Sequence, residues 1–208
     1  SYRFMFDTTL SAEKSWESGR TAKVTKKLAE EKRLNAFFVG AGMSSAWWLG
    51  ESSYNKNNRP YIPDFNTSIM LDFTAGYYLN NPDINIALLY RGYSTATRAY
   101  GTAQFLRRRS FGIEATKYIG DYHGFVPFVG PVITTESLLF REGEQGSLNQ
   151  DLTGQQLAYG LTFGWDIQPD KLQTFILRTN LRWFPNLKMK VGETETVSFS
   201  NIEFNFIQ

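Results

Sequence analysis

A chain of 208 residues with a formal net charge of +2, 42% hydrophobic and 16% aromatic residues can hold one domain with a real core, and hardly two. With no cysteine, disulfides and thiolate metal sites are excluded, and a single histidine leaves little for an imidazole metal site or a triad. The near balance of charge gives no footprint for nucleic acid, and no apolar run approaches the ~18 residues of a spanning helix; spanning strands need only ~9–11 alternating residues and stay open.

Residues 1–33 differ in pattern from the rest. The chain begins at Ser1 without Met or an apolar leader, so a processed or excised product is expected. "SYRFMFDTTL" alternates Tyr2, Phe4 and Phe6 against Arg3, Met5 and Asp7, a short strand-like piece. "TAKVTKKLAEEKR" (21–33) reads as a charged helix or linker, with Lys26/Glu30 and Lys27/Glu31 at i,i+4.

From Leu34 the period becomes two. Eight strands are predicted, over 35–49, 67–79, 84–97, 103–119, 125–140, 155–167, 172–184 and 195–207. In the second, Ile69, Leu71, Phe73, Ala75, Tyr77 and Leu79 alternate with Asp72, Thr74 and Gly76. In the sixth, Leu157, Tyr159, Leu161, Phe163, Trp165 and Ile167 oppose Ala158, Gly160, Thr162, Gly164 and Asp166. The fifth, "FVPFVGPVI", is apolar on both faces, so its register stays open. The eighth switches face between Phe199 and Ile202, which suggests a bulge.

Connections after strands two, four and six are short ("NNPD", "GDYHG", "QPDK"). Those after strands one, three, five and seven are read as longer polar loops, among them "STATRAYG" and "REGEQGSLNQDLTG". The expected fold is all-β, an eight-stranded antiparallel up-and-down barrel over 34–208 behind a short N-terminal extension, 1–33.

A soluble barrel points its apolar face inward, whereas a membrane barrel points it outward and fills its interior with the polar set. A strand face in water is normally rich in Lys and Glu, yet of ten lysines only Lys117 falls within a predicted strand. The polar face instead carries Gly76, Gly112, Gly160 and Gly164, which weaken an exposed strand but suit a narrow interior. Trp47, Tyr77, Tyr90, Trp165 and Trp183 fall near strand ends, as interface aromatics would. The transmembrane reading follows.

The inward charges then become interior ion-pair candidates: Asp72, Arg91, Arg108, Glu136, Glu114, Asp166, Arg178 and Arg182, with Glu203. Charges so numerous in a dry lumen must be paired or wet, because an unpaired one costs several kcal/mol. A tight turn at "NNPD" sets Asp72 opposite Arg91, and a turn centred on Tyr122 sets Arg108 opposite Glu136. In "FLRRRSFG", either Arg108 points inward while Arg107 and Arg109 point out near the rim, or all three belong to a wet loop. Arg107 and Arg109, with Lys56, Arg59, Lys188 and Lys190 in neighbouring loops, are candidates for contact with the phosphates of membrane lipids.

Strand count, inside-out alternation, loop asymmetry, "FVPFVGPVI" and the ending "SNIEFNFIQ" together resemble the small outer-membrane β-barrels of Gram-negative bacteria, the OmpA/OmpX-like group. The resemblance covers about residues 34–208. Members usually end on an aromatic residue; here Phe204 and Phe206 fit that signal, but Ile207-Gln208 run past it. The resemblance implies an outer-membrane location with both termini periplasmic, and outer-membrane lipid and lipopolysaccharide as partners. Protein partners in the outer membrane or periplasm are also expected, and the N-terminal extension could pair with a partner's sheet edge or close the lumen from below.

Some barrels of this kind are lipid A-modifying enzymes. His123 falls in "GDYHG", at the end away from the outer leaflet, and reads as a turn residue; Glu142, Glu144, Glu193 and Glu195 read as solvated loop acids. No nucleotide, metal or cofactor motif is present. The expected function is therefore a non-enzymatic integral barrel, an anchoring or accessory subunit of a larger envelope assembly. A lipid-modifying enzyme and a narrow solute channel are the alternatives.

Overall fold

Alternation of large apolar with small or polar residues sets the backbone of this chain into long strands that are apolar on one face. The structure, a computed structural model, describes residues 35–208 except 51, 66, 123, 145–149, 168–175 and 192, together with Lys23, Lys26, Lys27 and Glu30. The strand-like piece at 2–7, most of the charged segment 21–33, His123 and the first part of the predicted seventh strand lie outside the described residues.

The elements run β1 (Ala36–Trp47), α1 (Ser53–Asn58), β2 (Thr67–Leu79), β3 (Ile84–Ala99), β4 (Thr102–Tyr118), β5 (Phe125–Glu144), β6 (Gln150–Ile167), β7 (Leu177–Trp183), β8 (Lys188–Val191), β9 (Glu195–Ser198) and β10 (Ile202–Ile207). Eight strands close a barrel in the order β1-β10-β7-β6-β5-β4-β3-β2, every pair antiparallel, and β8-β9 form a separate hairpin.

The apolar face is outside. Phe37, Val39 and Ile69 are 87%, 86% and 74% exposed, and the wall continues through Leu71, Leu88, Phe111, Ile113, Ile133, Leu157, Leu161 and Phe163. In water each such side chain would forgo ~1.5–3 kcal/mol of burial. A continuous apolar wall of this extent around a barrel whose interior is charged is a lipid-facing surface. Trp47, Tyr90, Trp165 and Trp183 are partly exposed on that outer face, and Tyr77 packs there against Phe37 at 4.7 Å between ring centroids.

Three expectations are corrected. "STATRAYG" is not a long loop: β3 continues to Ala99, and Tyr100 (φ 48°) with Gly101 (φ 82°) turns it directly into β4. Most of "REGEQGSLNQDLTG" is likewise strand, in β5 and β6. Above lipid a ladder can carry polar side chains on both faces, so polarity there does not mark a loop. Third, the eighth strand is two elements. The face switch at Phe199–Ile202 is not a bulge but a departure: the chain leaves β7 at Phe184, folds inward as β8-β9, and rejoins the wall where Asn201 N–H donates to the Trp47 carbonyl at 3.0 Å.

One seam of the wall is short. β1 pairs with β2 along its whole length, but with β10 only from Met43 (opposite Ile207) to Trp47 (opposite Ile202). Among the described residues, Ala36–Ala41 have no ladder partner on the β10 side. A cavity of about 590 Å³ opens there, lined by Phe38, Gly40, Thr74, Tyr78, Arg178 and Gln208 among others.

Candidate functional site

An eight-stranded barrel has an interior just wide enough for side chains, and here they fill it in layers. Close approach of the chain inside is why small residues are needed: a Cβ on inward-facing Gly160 would run into the Trp183 carbonyl. At the lower end Tyr78, Tyr118, Val126 and Phe128 form a buried cluster, and the Arg178 guanidinium lies over the Phe128 ring at 4.4 Å.

Above it stands an ion network of four guanidiniums and five carboxylates, all buried. Arg178 holds Asp166 through two bonds of 2.8 Å, and Tyr118 Oη also donates to Asp166. Arg182 bridges Asp72 and Glu114, the latter at 2.8 Å. Glu203 receives Arg91 and Arg108 at 2.6 Å each. Arg108 also grips Glu136, which Ser110 and Thr134 bond at 2.8 and 2.6 Å.

Every interior candidate therefore points into the lumen, but two details differ from expectation. Asp72 does stand opposite Arg91, yet it bonds Arg182 and Ser44, while Arg91 reaches Glu203. Arg108 stands opposite Leu138, not Glu136, and still forms the ion pair diagonally. Long guanidinium side chains choose partners across the lumen, so ladder register alone does not fix them.

Over the network lies an apolar plug. Phe184 presents its ring face to Arg91 and Arg108, with centroid distances of 4.9 and 5.3 Å, and packs in one buried cluster with Leu89, Leu106, Leu138, Phe140, Leu187, Val197 and Phe199.

A lid covers the plug. The β8-β9 hairpin supplies one half and α1 the other. They are joined by Ser53 Oγ, which accepts from Thr196 N–H at 2.8 Å, by Ser52 Oγ accepting from Ser198 N–H at 3.0 Å, and by Asn58 donating to Glu195 at 2.7 Å. The lid is tied to the wall at Glu142, which receives Tyr54 Oη at 3.1 Å, Arg59 at 2.9 Å and Gln104 at 2.7 Å. Burial, then the Glu142 charge, pushes the Tyr54 hydroxyl up to about 12. The hydrogen bond to Glu142 holds the Arg59 guanidinium above its ordinary value.

Glu142 and Glu195 are thus fastening groups rather than solvated loop acids. Arg59, one of the lipid-contact candidates, is turned toward Glu142 and Glu144. Lys56 lies in α1 and Lys188 and Lys190 in β8, all exposed on the lid. Sequence reading missed Gln104, Asn55 and Phe184 as parts of the closure; only the inward parity of Gln104 on β4 signalled any of them.

Arg107 and Arg109 point outward, with Arg108 between them in the lumen. Among the described residues no group of three or more His, Asp or Glu is placed to hold a metal ion.

No protein-family model and no curated relative matches the sequence. Among solved structures the chain is similar to Neisserial surface protein A (15% identity, TM-score 0.49, covering 83% of this chain and 94% of that one). It is also similar to Ail, the attachment invasion locus protein of Yersinia pestis, in complex with the heparin analogue sucrose octasulfate (9% identity, TM-score 0.46, covering 82% and 96%). The chain described above is a small eight-stranded transmembrane β-barrel.

Proposed function

We propose that this transmembrane barrel is a non-conducting, non-enzymatic anchor of the bacterial outer membrane, with its termini on the periplasmic side, serving as an accessory subunit of a larger envelope assembly. The observation that carries the reading is the stacked closure of the lumen: ion network, apolar plug and hydrogen-bonded lid in series. A pore needs a wet path, and here buried charges are paired with one another instead. A catalytic centre needs a group left free to react, and the interior carboxylates are all held by guanidiniums. What remains for work is the outer surface.

The edge of β1 at Ala36–Ala41 is the specific place where a neighbour would act. Backbone N–H and C=O groups bare in hydrocarbon cost several kcal/mol each, and an added strand would satisfy them by β-augmentation. A photo-crosslinking amino acid at Val39, activated in native membranes with and without residues 1–33, tests the accessory reading. A cross-link to a second protein supports it. Cross-links confined to this chain would mean that it seals its own wall, and would overturn it.

A further inference from the structure

We infer that Arg98, Arg107 and Arg109 form a site on the outer wall for the phosphate groups of membrane lipid headgroups, a reading that rests on the wall facing lipid and not on any protein partner. Nine arginines lie among the described residues. Six have a carboxylate within 4 Å: Arg59, Arg91, Arg108, Arg141, Arg178 and Arg182. The other three have no ion pair or hydrogen bond among the described residues, and all three lie on the outward face of the neighbouring strands β3 and β4.

Their height matters as much as their charge. In the outward row of Arg109 the cross-strand neighbours are Gly92 and Ser137; in the row of Arg107 they are Ser94 and Leu139. One outward row below Arg109 stands Phe111, between Tyr90 and Thr135, and below that Ile113, between Leu88 and Ile133. Arg109 is therefore the first charged row above the apolar wall, where headgroups meet acyl chains.

The surroundings favour an anion. β3 and β4 present no Asp or Glu outward from Gly92 to Arg98 or from Ala103 to Ile113. The outward acid Asp151 on β6 is already taken by Arg141 of β5, which donates two bonds of 2.6 Å to it. Ser94 and Ser137 offer hydroxyl donors beside the guanidiniums. Between Arg98 and Arg141 lies a hollow of about 290 Å³ walled by Ala96, Ala103 and Phe105, and also lined by Glu144, whose carboxylate is paired with Arg59 at 2.5 Å.

Arg107 and Arg109 are two residues apart on one face, ~7 Å along the strand, so their forks can take adjacent phosphate oxygens by charge-assisted bidentate bonds. A lipid is favoured over free phosphate because the site opens sideways onto the wall of Phe111, Tyr90 and Ile113, which would take the acyl chains.

The test uses the purified full chain in detergent, titrated with a bis-phosphorylated outer-membrane glycolipid or its dephosphorylated form and read by native mass spectrometry. Wild type should bind the phosphorylated form roughly tenfold or more tightly, and R98Q/R107Q/R109Q should lose that preference while keeping its folded electrophoretic mobility. Equal binding of the two lipids, or an unchanged preference in the variant, would overturn the proposal. Competition by inorganic phosphate at equal phosphate concentration would also overturn it, by showing a free-anion site. Because no other protein is present, these outcomes are independent of the Val39 cross-link.

Discussion

Arg108 and Glu136 are joined by two hydrogen bonds, Nε to Oε2 at 2.7 Å and Nη2 to Oε1 at 2.8 Å, although they are not opposite each other in the β4-β5 ladder. Both are fully buried, so each is the other's substitute for water. Removing Glu136 strips Arg108 of both bonds and leaves it sharing Glu203 with Arg91, so Glu136→Leu should cost about 3 kcal/mol, the lower end for a broken buried pair. Arg108→Leu/Glu136→Leu should cost less than the sum of the two single variants. Denaturant unfolding in micelles checks both; strict additivity would mean that the pair is not coupled.

The lid should loosen independently of the barrel. Glu142→Gln weakens its bonds with Tyr54 and Arg59 without opening the lumen layers below. Hydrogen exchange over Ser53–Asn58 should quicken, by an amount matching ~1–2 kcal/mol of local stability. Exchange in β2–β4 below the plug should not change.

Tyr54 gives the lid a pH dependence at high pH. Its folded value of about 12 lies above the ordinary 10.0, because burial and then the Glu142 carboxylate disfavour the phenolate. A raised value means that the neutral form is bound more tightly in the closed lid. The contribution to closure is fully present below pH 10 and declines between pH 10 and 12. Ultraviolet difference titration of wild type against Tyr54→Phe should place this tyrosine about two pH units above a free one. In the variant, exchange in α1 should lose the part of its alkaline rise that exceeds intrinsic base catalysis.

Closure in series predicts that one layer alone suffices to block conduction. Replacing Pro185–Ser200 by a tight turn removes β8-β9 and much of the plug, yet leaves the paired charges from Asp72 to Glu203. Planar-bilayer recordings of wild type and of this variant should both lack steady conductance steps. A stable channel in the wild type would contradict the filled lumen itself.

The sequence determined a good deal by period and parity. Ile69, Leu71 and Phe73 outward, Asp72 and Thr74 inward, is written in the alternation, because successive strand side chains must take opposite faces. Glycines at Gly160 and Gly164 together with a lysine-poor polar face gave the inversion of the barrel, and the short "NNPD" turn gave the Asp72–Arg91 register. Parity likewise put Arg108 inside and its two neighbours outside once β4 was known to run from Thr102.

Only the tertiary structure decided how those side chains meet. Which carboxylate an arginine takes depends on distance across a closed lumen, a three-dimensional quantity that strand-by-strand counting does not contain; hence Asp72 with Arg182 rather than Arg91. The lid was hidden for the same reason. Ser53 and Thr196 are 143 residues apart and meet only because the barrel brings the two segments to one rim. Polarity told that these segments meet water, and only closure of the sheet told that they fold inward.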